Sequence, residues 1–259
     1  MKNRYYVDIE QDCFNEKAYA RAFVFAEKLA KQDSSVKRIV CYIHSKNNTG
    51  YFKPFFDTGS INRLFKGNVM VDGFTVALTI ETQITYVKNQ YSSSNDIVIA
   101  FDMDLEDLEV LDDYYCVKYI IAVPWLKEKT MPWVTRWNAV EISGKKTSTS
   151  ASASSLSDVA KVALKDLTDS INLSTGISHP FDNDQAKTYI RTLYKYEPSL
   201  RAEDVVSYLV TKLGWASRHA KEVGLLVSTL KQGRDFRGGT KTGLQVYYKH
   251  WKDEVEGKD

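Results

Sequence analysis

Seven carboxylates stand within residues 102–113, and Asp102 and Asp104 come directly after the apolar run 97–101. An apolar run of this length is typical of a strand that is covered on both faces of a parallel sheet. Ligands of such sheets bind where the strands end at their carboxyl side, and Mg²⁺ prefers oxygen ligands. Glu10 follows the first predicted strand and would leave the sheet at the same edge. Asp102, Asp104 and Glu10 are therefore predicted to bind a Mg²⁺ cofactor.

The order of these acidic residues loosely resembles the Toprim arrangement of nucleases and topoisomerases. In that arrangement a strand is followed by Asp-x-Asp and a neighbouring strand supplies another acid. The resemblance covers Asp102, Asp104 and Glu10, and the glycine that usually follows the Toprim glutamate is missing after Glu10. It implies a Mg²⁺-dependent phosphoesterase or nuclease in which the ion activates water. The alternative is structural: Asp102 or Asp104 caps a helix, and the acids stabilise its positive N-terminus.

Basic residues concentrate near the end of the chain. Residues 212–252 contain nine lysines and arginines and two acids, although the whole chain has a net charge of only +2. A local excess of positive charge can attract a polyanion. The side chains predicted to contact nucleic acid are Arg218, Lys221, Lys231, Arg234, Arg237 and Lys241. The alternative is that these side chains form an ordinary solvated surface.

The same region contains two predicted helices, 201–213 and 216–231, separated by Gly214 and Trp215. Two short helices joined by a tight glycine turn resemble a helix-turn-helix. If the second helix entered a groove of DNA, its outer side would carry Ser217, Arg218, Lys221 and Ser228. The glycine-rich loop that follows would then hold phosphates, which position a protein without reading sequence. An ordinary helical hairpin remains the alternative.

Tryptophans follow the predicted strand 119–123. Trp125 comes directly after it, and Trp133 and Trp137 follow closely. Such side chains either stack on a flat ligand or pack a loop onto the sheet, and packing is the more common role. The chain has no G-x-G-x-x-G after its first strand, no P-loop, no zinc-ligand spacing and no G-x-S-x-G. No motif therefore names a cofactor or a nucleophile.

The elements that would position these residues differ between the two halves of the chain. The first half predicts strands over 4–9, 36–44, 97–101, 119–123 and 139–142, a hairpin at 72–73, and helices over 15–31, 61–65 and 80–91. Alternating strands and helices with apolar central strands are typical of an α/β fold. We predict a Rossmann-like three-layer sandwich with a mainly parallel sheet.

The second half is predicted to be a small all-α, helix-turn-helix-like domain. Apolar residues recur at helical spacing over 156–170, 184–196, 201–213, 216–231 and 242–255. Between the halves, 143–157 is rich in serine and threonine, a composition typical of a linker. The predicted organisation is an α/β domain over 1–142, this linker, and a basic helical domain over 158–259. The net charge is −2 over 1–142 and +4 over 143–259.

The remaining composition narrows the class of protein. The N-terminus lacks an apolar leader segment, and no run of about 18 apolar residues could span a membrane. The three cysteines form no C-x-x-C pair, which favours a reducing, cytoplasmic location without disulfides. Nucleic-acid binding by the basic domain is the leading hypothesis. The alternatives are the Mg²⁺-dependent phosphoesterase and a non-catalytic scaffold or regulator that binds a protein partner.

Overall fold

The computed structural model describes residues 2–10, 15–89, 91–144 and 156–257. The chain divides into two compact units, Met1–Ala151 and Ser152–Asp259. The division falls inside the serine- and threonine-rich segment that the sequence predicts to be a linker, but residues 145–155 of that segment lie outside the described residues.

Six strands form one sheet in the first unit, and every pair of neighbouring strands is parallel. The strands are β1 (Asn3–Tyr6), β2 (Arg38–Ile43), β3 (Ala77–Thr82), β4 (Asp96–Phe101), β5 (Val117–Val123) and β6 (Val140–Glu141). Their order across the sheet is β3-β2-β4-β5-β1-β6. This arrangement confirms the α/β prediction.

The central strands are apolar on both faces because helices cover both faces. Along β2, Ile39 and Cys41 belong to one core cluster, whereas Val40 and Tyr42 belong to the other. This alternation follows from the two-residue period of a strand. A strand buried on both sides needs an apolar residue at every position, which explains the unbroken run 97–101.

Five α-helices connect these strands. They are α1 (Glu16–Gln32), α2 (Thr58–Leu64), α3 (Gln83–Tyr86), α4 (Leu105–Asp113) and α5 (Lys127–Trp137). The first two contribute to one core cluster, and the last three contribute to the other. Short 3₁₀ turns lie over Lys46–Phe52 and Val87–Asn89.

The connections diverge at the carboxyl edge of β2 and β4, which are neighbours in the sheet. The chain leaving β2 packs α2 against one face, and the chain leaving β4 packs α4 against the other. A crevice opens where two adjacent connections part in this way, and open α/β sheets bind ligands there.

Two predicted elements of the first unit differ from the structure. Residues 80–82 belong to β3, and only the short α3 follows them, because pairing with β2 and burial of Thr79 and Ile80 favour the extended chain. The predicted hairpin at 72–73 is a turn whose arms meet at a single antiparallel bridge, Val69 to Leu78. The chain after the turn pairs in parallel with β2 instead.

Helix α5 was not predicted, because Pro132 lies inside it and proline removes a helical hydrogen bond. Tertiary contacts stabilise the helix. The indole of Trp133 is fully buried and donates to Asp112 Oδ2 at 2.7 Å. The Arg4 guanidinium lies 3.4 Å from the ring centroid of Trp137. The packing role predicted for these tryptophans is confirmed for Trp133.

The second unit is helical in its described part, as the sequence predicts. Its helices are α6 (Asp158–Ser170), α7 (Pro180–Tyr196), α8 (Ala202–Leu213), α9 (Ser217–Lys231) and α10 (Leu244–Val255). The first helix begins where the Ser157 hydroxyl accepts from the Ala160 amide. The third ends at Gly214, which adopts a left-handed conformation.

Tryptophans join the helices of the second unit around Asp166 and Thr168 of α6. The buried Trp251 of α10 and the hydroxyl of Tyr189 of α7 both donate to Asp166 Oδ2, at 3.0 and 2.9 Å. Trp215, in the turn between α8 and α9, donates to Thr168 Oγ1 at 2.9 Å. The indole donors of Trp215 and Trp251 thus both have partners on α6.

Within the described residues, no helix has both the length and the apolarity that crossing a bilayer requires.

Candidate functional site

Asp102 lies at the carboxyl edge of β4, where the connections from β2 and β4 diverge. Its backbone is left-handed, with φ of 58°, a conformation that few residues other than glycine, asparagine and aspartate tolerate. The Tyr19 hydroxyl of α1 lies 3.3 and 3.2 Å from its two carboxylate oxygens. The Tyr51 hydroxyl donates to the same carboxylate. Side chains from two separate segments therefore meet on this acid.

Burial raises the pKa of Asp102 to about 6, although Tyr19, Tyr51 and the nearby His44 act in the opposite direction. Burial also raises the pKa of the Tyr19 hydroxyl, and the Asp102 charge adds to that effect. Tyr19 therefore stays a neutral donor to the carboxylate at neutral pH. A carboxyl group that titrates near neutrality in a crevice is a candidate functional group.

Polar side chains surround the backbone that follows Asp102. Nε2 of His44, which follows β2, lies 3.1 Å from the Asp102 carbonyl oxygen and 3.5 Å from Asp107 Oδ2. Gln83 Nε2 donates to Asp107 Oδ1. The structure thus brings His44 to the same sheet edge as Asp102, and it adds Gln83 from the end of β3.

A cavity of about 220 Å³ opens beside Asp102. Its wall includes Tyr51 and Trp125, whose ring centroids are 5.6 Å apart and whose planes meet at 61°. Lys129 of α5 also lines it and is exposed to solvent. The cavity therefore combines a half-buried acid, aromatic walls and a basic side chain in contact with water.

The predicted metal ligands do not follow neighbouring strands. Strand β5 lies between β1 and β4, so the strands that precede Glu10 and Asp102 are about 10 Å apart. The predicted arrangement has these acids on adjacent strands. In the ranges that the structure describes, no three histidine, cysteine or acidic side chains are placed to hold a metal ion.

Asp104 has the structural role that was the alternative to metal binding. Its carboxylate accepts from the amides of Glu106 and Asp107 at 3.0 and 3.1 Å, and it is the N-cap of α4. A capping carboxylate stabilises the start of a helix. Of the three predicted ligands, only Asp102 faces the cavity, and its partners are tyrosines.

Sequence reasoning did not find Tyr19, Tyr51 and Lys129 as site residues. Tyr19 lies 83 positions before Asp102, inside a helix whose apolar spacing gives it an ordinary core role. Tyr51 follows an asparagine- and glycine-rich stretch that reads as a loop. The sequence feature that pointed to this part of the sheet was Trp125, which follows a buried strand.

In the second unit, all six side chains that were predicted to contact nucleic acid are exposed. Arg218 and Lys221 lie on the first two turns of α9, and Lys231 is its last residue. The others, Arg234, Arg237 and Lys241, lie in the segment 233–241, which we call the basic loop. Among the described residues, Lys231, Arg234 and Arg237 form no salt bridge.

Arg191 of α7 lies beneath the basic loop, is 8% exposed, and organises it. Its guanidinium donates to Asp235 Oδ1 at 2.8 Å, to the Thr240 carbonyl at 2.9 Å and to the Phe236 carbonyl at 3.1 Å. The guanidinium carbon lies 4.5 Å from the ring centroid of Phe236. One buried cation thus satisfies the inward-facing acceptors of the loop.

The loop also lies close against α7. The Gly239 amide donates to Asp184 Oδ1 at 3.0 Å, and the Thr240 amide donates to Thr188 Oγ1 at 2.8 Å. Gly239 has φ of +66°, and a Cβ there would lie 2.8 Å from the Cβ of Lys187. Glycine alone tolerates both the positive φ and the close contact with α7. Gly239 therefore allows the basic loop to lie against this helix.

Two side chains of this surface, those of Lys241 and Ser217, differ from the prediction. Lys241 Nζ lies 2.5 Å from Asp235 Oδ2, and its hydrogen bond, with that of Arg191, holds the pKa of Asp235 well below its usual range. Part of the Lys241 charge is therefore neutralised within the loop. Ser217, expected on the outer side of α9, is 2% exposed, because it faces the helical core. The exposed side of α9 carries Glu222 and Leu225 beside the basic residues.

Comparison with known proteins bears on the second unit. Residues 156–252 are similar to a family described as Domain of unknown function (DUF1889). This range contains α6 to α9 and most of α10. No curated protein and no solved structure matches the chain.

Proposed function

We propose that the second unit binds the phosphate backbone of a nucleic acid through the basic loop and the end of α9. The observation that carries the proposal is the exposure of Lys231, Arg234 and Arg237, none of which forms a salt bridge in the described part of the chain, on a segment that Arg191 holds in place. Neutralising phosphates with such side chains releases counterions, which favours binding.

The rigid support of the loop favours binding because a loop that is already ordered loses less conformational entropy when it contacts a ligand. Contacts to phosphates are more consistent with this surface than base reading. The exposed side of α9 carries Glu222 and the apolar Leu225, which is 66% exposed, and a carboxylate there would oppose close approach to phosphates. The turn 214–216 between α8 and α9 supports a helix-turn-helix-like arrangement as part of this proposal.

For the first unit we propose a Rossmann-like sheet. The diverging connections after β2 and β4 support it, although the order β3-β2-β4-β5-β1-β6 differs from the classic order because β1 lies between β5 and β6. A reducing, cytoplasmic location is supported by the buried free thiols of Cys41 and Cys116. Cys13 lies outside the described residues.

The test is binding of short single-stranded DNA, duplex DNA and RNA at about 50 and about 200 mM salt. We expect wild-type affinity to fall steeply with salt. The triple variant K231Q/R234Q/R237Q should bind more weakly, with the slope of log K against log salt reduced by about 2 to 3. The matched control is K161Q/K165Q/K252Q, which removes three positive charges from lysines that are already paired with acids.

Absence of binding at the lower salt concentration would refute the proposal. An equal loss in the control variant would show that net charge, rather than the basic loop, is responsible.

A further inference from the structure

We propose that the cavity beside Asp102 binds a small free amino acid, with its ammonium group on the Asp102 carboxylate and its carboxylate toward Lys129. This site is separate from the nucleic-acid surface and uses only residues of the first unit. The charged groups and the apolar walls of the cavity support this proposal.

Asp102 is half-buried and, in the described part of the chain, lacks a lysine or arginine partner. Among the residues that the structure describes, it forms no salt bridge with either residue type, and its side-chain partners are the hydroxyls of Tyr19 and Tyr51. Partial withdrawal of a carboxylate from water without such a partner costs free energy. An ammonium ligand would supply the missing charge and three hydrogen-bond donors.

Tyr51 and Trp125 line the cavity, and Tyr19 lies behind Tyr51 in the core. The ring centroids of Tyr19 and Tyr51 are 5.9 Å apart, and those of Tyr51 and Trp125 are 5.6 Å apart. The three rings thus form a continuous row beside the carboxylate. Aromatic faces attract ammonium groups, and the attraction is stronger where water is excluded. Aromatic rings together with an acid therefore select a cation over a neutral group.

Lys129 brings a charge opposite to that of Asp102 to the same cavity. Lys129 lines the cavity and is exposed, so it would repel a simple amine but attract a carboxylate. Met103 and Leu126 supply apolar wall. At about 220 Å³ the cavity is smaller than the roughly 300–1,000 Å³ typical of drug-sized ligands. A compact zwitterion with an apolar side chain fits both charges and the size.

The backbone of Asp102 is left-handed. Such an uncommon backbone conformation costs free energy, and proteins retain it mainly at functional sites. Capping does not require it, because Asp104 caps α4 from an extended conformation. Asp102 is therefore held in an uncommon conformation and takes no part in the helix cap.

The experiment uses the full chain and calorimetric titration with leucine, methionine and phenylalanine. Two further probes each lack one charge of leucine: 4-methylpentanoate has no ammonium group, and 3-methylbutylamine has no carboxylate. We expect at least one amino acid to bind with a Kd below about 1 mM and to quench or shift tryptophan fluorescence. If leucine binds, each one-charge probe should bind at least about tenfold more weakly than leucine.

Single substitutions test which side chains contact the amino acid. D102N should weaken binding about tenfold or more, because it removes the charge that the ammonium group contacts. K129Q should weaken binding about three- to fivefold, since this lysine is exposed. K88Q removes an exposed lysine outside the cavity and should have no effect.

No binding of any of the three amino acids at about 10 mM would overturn the proposal. So would equal binding of leucine and 3-methylbutylamine, which would leave Lys129 without a role, or unchanged binding by D102N. Because the probe comparison uses wild-type protein, the result does not depend on whether a variant folds. Nucleic-acid binding is measured separately, so the two proposals can fail independently.

Discussion

At the scale of single residues, Asp102 and Arg191 differ in how their charges are compensated. Arg191 is surrounded by acceptors that satisfy its guanidinium, so its burial organises the basic loop. Asp102 is half-buried and accepts from tyrosine hydroxyls, but it forms no salt bridge with lysine or arginine among the described residues, and burial raises its pKa to about 6. A compensated charge supports the local structure, whereas a carboxylate withdrawn from water without a salt bridge destabilises it and is more consistent with a binding role.

The raised pKa predicts how D102N changes stability with pH. The folded state binds this proton more tightly than the unfolded state, so ionisation of Asp102 reduces stability as pH rises from about 4 through about 6. Asparagine tolerates the left-handed backbone and carries no such cost. D102N should therefore be more stable than wild type at neutral pH, by up to about 3 kcal/mol.

Urea unfolding at about pH 4.5 and about pH 7.5 measures this difference. The advantage of D102N should grow between the two conditions. A difference that stays constant with pH would show that the buried carboxyl group does not carry the effect. Tyr19 remains neutral throughout this range, because its pKa is raised.

At the scale of elements, α8 and α9 pack closely together at Gly224. A Cβ at this position would lie 2.5 Å from Cγ2 of Val206 on α8. Gly224 is inside α9, where glycine costs about 1 kcal/mol relative to alanine. The close approach of the two helices therefore explains a residue that helix propensity alone disfavours.

We expect G224A to destabilise the second unit despite the better helix propensity of alanine, by about 1 to 3 kcal/mol from overpacking. The double variant V206A/G224A should be more stable than G224A, because the shorter side chain makes room for the new methyl group. V206A alone serves as the control. Thermal unfolding of the three variants measures the coupling, and strictly additive effects would contradict the proposed contact.

At the scale of the whole molecule, charge and chemistry are divided between the two units. Residues 1–142 have a net charge of −2 and residues 143–259 have a net charge of +4. The cavity beside Asp102 belongs to the first unit, and the basic loop belongs to the second. The two proposed sites share no residue.

Because the sites belong to separate compact units, we expect their variants to act separately. D102N should leave nucleic-acid affinity within about twofold of wild type, which is below the range of typical allosteric coupling. K231Q/R234Q/R237Q should likewise leave leucine affinity unchanged. The two binding assays measure both effects. A change of more than about fivefold in the unaltered site would mean that the units are energetically coupled.

The sequence alone determined the class of each element where its pattern was periodic and local. The unbroken apolar run 97–101 predicted a buried strand, and the structure confirms it as β4. Recurring apolar residues over 201–213 and 216–231 predicted α8 and α9 with little error in their ends. A strand that is covered on both faces is apolar at every position, whereas the apolar residues of a helix that is buried on one face recur about every 3.6 residues. Both patterns are visible within a short stretch of sequence.

Only the tertiary structure decided which elements are neighbours. Periodicity reports that a strand is buried but not its place in the sheet, so nothing local indicated that β5 separates β1 from β4. The same holds for Tyr19, which reaches Asp102 across 83 residues of chain. The acids were therefore visible in the sequence, but the partners that set their chemistry were selected by strand order and helix packing.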